Sequence, residues 1–223
     1  MCGRSSLAPD DATLAEHLAS VGVHEKVEWR PRWNIAPTQE QLVVSVRDGA
    51  RVAAATRWGL VPSWAKDVEI GNGLINCRSE TITEKPAFRD AFRRRRALVV
   101  VDGFYAWRVN GDGSKSPMRV QRRDGAPFTF AGLWETWTRG DAPLTTCAIV
   151  TTTPNALVEP IHHRMPVILD DASRDAWLAP ETSVDDLVDL FAPRDDDAFE
   201  AYEVSAMVNS PRNDRPECAA RVA

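Results

Sequence analysis

The sequence predicts a single α+β domain in which a curved, mainly antiparallel and barrel-like β-sheet carries short peripheral helices. A chain of 223 residues with 43% hydrophobic content is long enough to bury one sizeable core. Many short strand candidates are separated by Gly, Pro or Asp, and no internal repeat or flexible linker divides them. We therefore expect one domain over residues 1–223, from which Met1 is removed and in which residues 215–223 form a tail.

Each predicted element follows from a local pattern. Leucines and a valine at helical spacing behind two aspartates predict a short amphipathic helix within residues 10–21. Asp48 and Gly49 form a turn signal between two strand-like segments, which predicts a hairpin, and residues 194–197 are expected to form a solvated turn. The predicted strands span residues 42–47, 51–57, 97–101, 104–109, 118–123, 128–133, 145–152, 167–169 and 201–205. Further helices are predicted over residues 86–96, 172–178 and 184–191.

The acidic residues are unevenly distributed along the chain. The formal net charge is −5, but residues 170–203 alone hold twelve Asp and Glu residues against two Arg residues. Residues 1–169 hold 22 Lys and Arg residues against 18 Asp and Glu residues. The larger part of the chain can therefore attract phosphate, and the overall negative charge does not exclude a nucleic-acid partner.

The composition excludes several classes of protein. No apolar run approaches the roughly 20 residues needed to cross a bilayer, and the N-terminus lacks the apolar stretch of a signal peptide. We expect a cytoplasmic monomer without a membrane partner. Cysteines at positions 2, 77, 147 and 218 show neither the close pairs of structural zinc sites nor a disulfide pattern. We therefore expect no metal and no cofactor, and we expect Cys77, Cys147 and Cys218 to be small buried hydrophobic residues.

Cys2 differs from the other cysteines because removal of Met1 makes it the N-terminal residue. Its α-amine and its thiol then lie on adjacent carbons, so the nitrogen can attack an aldehyde and the sulfur can close a five-membered thiazolidine ring. An α-amine has a pKa near 8, so roughly a tenth of it is neutral and nucleophilic at pH 7. Position 2 can therefore offer both an amine and a thiol to the same aldehyde.

Eight short segments with unusual residue combinations follow one another from residue 1 to about residue 214. They are residues 1–4, 33–38, 58–65, 76–81, 102–105, 130–135, 162 with 164–167, and 210–214. In composition and in order these segments resemble the SRAP (SOS response-associated peptidase) family. The resemblance implies a β-rich SRAP fold, a role in the DNA damage response, and single-stranded DNA with abasic sites as the partner.

The resemblance also implies a set of catalytic residues. Cys2 matches the family's N-terminal cysteine, which forms a thiazolidine crosslink with the ring-opened sugar aldehyde of an abasic site and so protects the lesion. Asn76 matches an asparagine whose amide can orient the sugar or the cysteine by hydrogen bonds. His162 matches a histidine that can move protons during ring opening, Schiff-base formation and reversal. His163 stands where the family usually has aspartate, so the polarity of this loop is expected to differ.

The clearest departure from the family is Ala106. The family segment Gly-Phe-Tyr-Glu-Trp is Gly103-Phe104-Tyr105-Ala106-Trp107 here, so the expected catalytic glutamate is missing. In the family that carboxylate lies near the N-terminal amine, where it orients the amine or relays its proton. We expect crosslinking to be slower without it, though still possible, since amines and aldehydes react intrinsically.

Several residues are candidates for holding the DNA strand. Arg4, Arg78 and Arg164 each lie within two residues of a proposed catalytic position, so we expect them to contact phosphates beside the lesion. Trp64 is a candidate stacking platform or wedge. Residues 85–96 hold six basic residues against one acidic residue, as either an outer electrostatic track or a solvated helix face. When bound to DNA, the protein is expected to associate with the nucleoid.

Two other functions remain open at the level of the sequence. A cysteine with a histidine and an asparagine also describes a thiol peptidase or amidase, and removal of Met1 could be self-catalysed. A noncovalent single-stranded DNA binder is the second alternative; it would tolerate Cys2→Ala and show no preference for abasic DNA. Within the leading hypothesis, β-elimination from the Schiff base would cleave the strand, which is a lyase activity.

Overall fold

The computed structural model describes residues 2–193 and 197–222, and it consists of β-strands with a few short helices. The strands are β1 (Ser5–Leu7), β2 (Arg32–Ile35), β3 (Glu40–Arg47), β4 (Ala50–Trp58), β5 (Asn76–Arg78), β6 (Arg96–Val101), β7 (Gly103–Val109), β8 (Lys115–Arg122), β9 (Phe128–Trp137), β10 (Leu144–Thr152), β11 (Met165–Pro166), β12 (Ile168–Leu169) and β13 (Phe199–Glu203). The α-helices are α1 (Asp11–Ser20), α2 (Arg89–Arg94), α3 (Asp171–Leu178) and α4 (Val184–Asp189). In this part of the chain no helix is long and apolar enough to cross a membrane.

Five strands close into a small barrel. β9 pairs antiparallel with β10 and with β6, β6 pairs with β3, and β3 pairs with β4. A short parallel pairing between β4 and β10 completes the ring, with Thr146 opposite Arg57 and Cys147 opposite Trp58. Closure leaves these strands without a free edge and buries a continuous core, in which every residue of β6 is buried. The predicted barrel-like, mainly antiparallel sheet is therefore confirmed.

A second antiparallel sheet, in the order β13-β8-β7-β1-β2, holds the beginning of the chain. β1 lies between β2 and β7, and Ser5 is opposite both Ile35 and Phe104. Chain ends usually fray unless they are tied into the fold. Because β1 has hydrogen-bonded partners on both sides, the residues that follow Cys2 are fixed in the middle of the sheet.

The predicted hairpin is confirmed and is slightly longer than expected. β3 pairs with β4 up to Arg47 opposite Ala50. Asp48 and Gly49, at the turn, have positive φ angles of 50° and 80°, which are the angles that a tight two-residue hairpin turn requires. The other long predicted strands, from residue 97 onward, also form within a few residues of their expected limits.

Some elements differ from their predictions. The helix predicted over residues 86–96 is confined to α2, because Arg96 begins β6 and its guanidinium donates to the carbonyls of Trp177 and Ala179 at 2.6 and 2.7 Å. The short strands β1, β2, β5 and β11 were not predicted. The turn predicted over residues 194–197 lies largely outside the described residues, as does Met1.

The segment predicted as a tail from residue 215 is packed instead. Pro216–Cys218 forms a 3-10 helix, and Cys218 is buried with Tyr105 and Tyr202 in a small apolar cluster. An isolated bridge between Val204 and Arg221 ties the end of the segment to the fold. The buried side chain of Cys218 anchors this segment to the core. The polar residues on either side of Cys218 had instead indicated an unpacked tail.

Asn34 joins the second sheet to the segment that precedes this 3-10 helix. The residue is fully buried, and its Nδ2 donates to the carbonyls of Val208, Ser210 and Asn213 at 3.2, 3.0 and 2.6 Å. Its Oδ1 accepts a hydrogen bond of 2.7 Å from the guanidinium of Arg4. One buried amide therefore fixes both this segment and the Arg4 side chain, two residues from Cys2.

Candidate active site

Cys2 is held inside the protein, with only 2% of its surface exposed. The backbone N–H of Tyr105 donates to the Arg4 carbonyl at 3.0 Å, which continues the pairing of β1 with β7 toward the N-terminus. Extended by one further residue, this antiparallel register brings Ala106 opposite Gly3. Position 106, where the resemblance implied a glutamate, therefore lies next to the residue that follows Cys2.

Asn76 anchors Cys2 from the other side. Its Nδ2 donates a hydrogen bond of 2.7 Å to the Cys2 carbonyl. The residue begins β5, which pairs parallel with β10 so that Asn76 is opposite Ile149 in the barrel wall. Among the described residues, the Oδ1 atom of Asn76 is buried and has no hydrogen-bond partner. A buried acceptor without a donor is costly, so this oxygen is available to a hydroxyl or an amine that enters the site.

The Cys2 thiol is a weak acid in this environment. Burial raises its pKa to about 12, because the thiolate would lose its hydration; the positive charge of the N-terminus and the backbone N–H of Arg4 offset this effect only in part. At neutral pH the sulfur therefore carries its proton. A protonated thiol is a poor nucleophile toward a carbonyl, so a neutral α-amine would act before the sulfur does.

His162 lies on the loop that precedes β11. Its Nδ1 lies 3.0 Å from the backbone nitrogen of Arg164 and 3.1 Å from the Arg164 carbonyl oxygen, so it accepts from the N–H in one tautomer and donates to the carbonyl in the other. Burial lowers the pKa of His162, the positive charge of the N-terminus acts in the same direction, and the hydrogen bond with the Arg164 backbone opposes both. The imidazole is therefore neutral at neutral pH. The His163 ring stacks on it with centroids 4.4 Å apart, while His163 itself is exposed.

The His162 loop meets position 106 through an apolar contact. Ala106 is buried and packs in a small cluster with Met118 and Ile161, the residue before His162. Glu80 and Glu135, the carboxylates that end or lie within two of the matched segments, form ion pairs with Arg164 and Arg95.

The four candidate DNA-binding residues fall into two classes. Arg4 is engaged within the protein, since its guanidinium donates to Asn34 and to the Val208 carbonyl and lies 5.9 Å from the Trp107 ring. Arg164 is also engaged, because it pairs with Glu80 and donates to the Thr151 carbonyl at 2.6 Å. In contrast, the side chains of Arg78 and Trp64 are exposed, and 50% of the surface of Trp64 is accessible to solvent.

An open groove of about 750 Å³ runs past the His162 loop. Trp107 and Asn209 line it together with His162, and the indole Nε1 of Trp107 donates to Asn209 Oδ1 at 2.7 Å. Neither residue was predicted from the sequence to belong to the site. Their positions in the sequence could have indicated them, because Trp107 directly follows Ala106 and Asn209 directly precedes the matched segment that begins at Ser210.

The described residues contain no group of three or more His, Cys, Asp and Glu side chains arranged to hold a metal ion. Cys77, Cys147 and Cys218 are buried, as expected for small hydrophobic residues. The pKa of the Cys77 thiol and that of the Cys147 thiol are both raised by burial. Their side chains act as core residues, and Cys2 is the cysteine that the geometry connects to a set of polar partners.

The family model, the sequence relatives and the solved structures that this chain matches point to one family. The family model described as "SOS response associated peptidase (SRAP)" matches residues 1–211. The abasic site processing protein YoqW of Bacillus subtilis (strain 168) is 43% identical over 220 residues, which cover 97% of this chain and 98% of that protein. The abasic site processing protein HMCES of Gallus gallus is 32% identical over 260 residues, with 98% and 77% coverage. A crystal structure of a protein from Bacteroides thetaiotaomicron matches with a TM-score of 0.87 at 26% identity and covers both chains completely.

The burial of Cys2 predicts an unusual pH dependence of its alkylation. In the folded protein, the rate of reaction with iodoacetamide should keep rising through pH 10, by about tenfold per pH unit, because the pKa of the thiol is about 12. Mass spectrometry of the N-terminal peptide measures this rate. The same protein unfolded in urea is the control, and there the rate should level off near pH 8.5. Levelling at that pH in the folded protein would contradict the buried, protonated thiol.

Proposed function

The chain belongs to the SOS response associated peptidase family, and from this membership we propose that it captures abasic sites in single-stranded DNA covalently through Cys2. Relatives over nearly the whole chain are named abasic site processing proteins. The observation that carries the proposal is the hydrogen bond from Asn76 to the carbonyl of the buried Cys2. This bond fixes the one residue whose amine and thiol can together consume an aldehyde.

The proposed reaction proceeds in two bond-forming steps. The neutral α-amine of Cys2 adds to the C1′ aldehyde of the ring-opened deoxyribose, and loss of water gives an imine. The sulfur then adds to the imine carbon, and the thiol proton passes to the nitrogen. The product is a thiazolidine, and one water is released overall. The sulfur starts as a thiol and loses one proton when it forms the C–S bond. The imine nitrogen gains one proton in the same step, so no outside acid or base is consumed.

Asn76 and His162 support these steps in different ways. Asn76 orients Cys2 through Nδ2, and its unpaired Oδ1 can accept a hydrogen bond from a sugar hydroxyl or from the amine. A neutral His162 can take a proton from the sugar hydroxyl during ring opening and return it to the departing water. The lowered pKa of His162 keeps it in the form that accepts a proton at neutral pH.

Removal of Met1 must precede capture, because only then does Cys2 have a free α-amine. We propose that this hydrolysis is carried out by the same site, consistent with the peptidase in the family's description. Hydrolysis consumes one water and releases methionine. The buried thiol and the neutral imidazole are the chemical groups available for it, which links the peptidase and crosslinking activities to one set of residues.

Outside the site, the exposed side chains are suited to a single strand. Arg78 directly follows the Asn76-Cys77 segment and can pair with a phosphate beside the lesion. Trp64 presents half of its surface to solvent, as a platform on which an unpaired base can stack. In contrast, Arg4 and Arg164 act mainly through the protein contacts that hold the Cys2 and His162 segments.

The crosslinking proposal predicts a heat-stable protein–DNA band that depends on the Cys2 sulfur. Wild-type protein lacking Met1, incubated with single-stranded DNA that carries one abasic site, should give this band on a denaturing gel. Cys2→Ser keeps the amine but lacks the thiol, so it should give a band only when its imine is trapped with borohydride. An undamaged strand is the control. A heat-stable band that survives in Cys2→Ser, or no band from the wild type, would contradict the proposal.

Position 106 predicts a gain of activity. Ala106→Glu places a carboxylate beside the Cys2 segment and should speed crosslinking by about a hundredfold, the lower end of the range for a positioned proton donor or acceptor. It should also lower the free energy of unfolding by about 1–3 kcal/mol, since the new group enters an apolar cluster. Ala106→Gln is the matched control without an ionisable group. Equal crosslinking rates in the Glu and Gln variants would show that a carboxylate at this position has no role.

A further inference from the structure

A stripe of basic side chains runs along one face of α2 and the turn before it. Lys85, Arg89 and Arg93 are spaced four residues apart, and all three are exposed. The backbone N–H of Arg89 donates to the Lys85 carbonyl at 2.9 Å, so the helical spacing begins one turn before α2. Residues four apart on a helix are neighbours, with about 5–6 Å between their Cβ atoms. The three side chains therefore form a continuous row, which we call the basic stripe.

An adjacent face of this segment is apolar and fixes its orientation. Phe88, Ala91 and Phe92 are buried, and the Phe92 ring packs against those of Trp177 and Phe191 with centroids 6.0 Å apart. With this face in the core, the basic stripe is turned to solvent. Among the described residues, neither Lys85 nor Arg93 has an ion-pair partner, and Arg89 has only a 3.7 Å contact with its neighbour Asp90.

The basic stripe follows the candidate active site closely in the chain. Arg78 ends β5, two residues after Asn76, and the 3-10 helix Ser79–Thr81 follows it at once. The Thr81 carbonyl accepts hydrogen bonds from the N–H groups of Glu84 and Lys85. The exposed cation at Arg78 is thus connected to the basic stripe through a single ordered turn. The ion pair between Glu80 and Arg164 also ties this turn to the His162 loop.

The charge changes sign beyond the far end of the basic stripe. Arg96, which follows α2, donates to the carbonyls at the end of α3, and the charge of Glu181 acts on it. The end of α3, which Arg96 contacts, lies within the acidic part of the chain, residues 170–203. A polyanion is therefore attracted along the basic stripe and repelled at its end. This pattern fits a single DNA strand that leaves the site past Arg78 and contacts the protein as far as Arg93.

We propose that Lys85, Arg89 and Arg93 bind the phosphates of the single strand that extends beyond the lesion. This inference rests on the proposed function for the position of the lesion, at Cys2, but concerns a separate surface. It gives the basic stripe the role of holding flanking DNA, independent of the covalent step. Phosphate contacts add affinity and salt dependence without sequence preference, as a lesion in any sequence context requires.

The test compares two strands that differ in length and carry no lesion. Arg89→Gln/Arg93→Gln should bind a strand of about 16 nucleotides roughly tenfold more weakly than wild type, and a strand of about 4 nucleotides equally well. For the longer strand, the slope of log affinity against log salt should fall by about 1.4, the value for two lost phosphate contacts. Fluorescence anisotropy over a salt series measures both quantities.

The matched control is Lys26→Gln/Arg30→Gln, which removes two exposed charges near α1. It should leave the affinity and the salt slope unchanged. Equal losses in both double variants, or an unchanged slope in the α2 variant, would overturn the inference. Because the strands carry no aldehyde, failure of Cys2 to crosslink is a separate result. At saturating abasic DNA the α2 variant should also crosslink at the wild-type rate, and a slower rate there would place the stripe's effect in the chemical step instead.

Discussion

The hydrogen bond from the Asn76 amide to the Cys2 carbonyl is the interaction on which the rest of the site depends. Without it, the second residue of the chain would lie at a free end, where backbone order is usually lost. The bond works because both of its partners are themselves fixed. Asn76 belongs to a strand paired with β10 of the closed barrel, and Cys2 precedes β1, which has partners on both sides. Cys2 is thereby held as firmly as a residue of the core, with only 2% of its surface exposed.

Burial of Cys2 bears on the order of the proposed chemistry. The raised pKa of its thiol keeps the sulfur protonated, so in the proposed reaction the amine forms the first bond. Sulfur becomes useful only when an imine carbon is held beside it. Selectivity for an aldehyde then follows from the need for both groups, and no base readout is required. The apolar surroundings of Ala106 remove one further proton carrier and leave His162 as the main candidate for proton transfer.

Much of this arrangement follows from the sequence, and the remainder depends on distant partners. The hairpin was predictable because Asp48 and Gly49 encode their own turn, and the candidate site residues were proposed from the resemblance to a family. β5 was not predictable, since three residues form a strand only because β10 lies beside them, more than 70 residues away in the chain. The contacts of Arg4 Nη1 with Asn34 and the Val208 carbonyl were not predictable either, since these partners lie 30 and 204 residues away in the chain. The burial of Cys218 likewise depends on contacts that no local pattern reveals.

The most direct test of the account is an intact-mass measurement of the protein–DNA adduct, followed by mapping of the modified peptide. The account predicts an adduct that lacks Met1 and weighs one water less than the sum of protein and abasic strand. In its N-terminal peptide, neither the Cys2 amine nor the Cys2 thiol should remain open to labelling, because a thiazolidine consumes both. An adduct at another residue, or one in which the Cys2 thiol can still be alkylated, would contradict capture by the amine and thiol together.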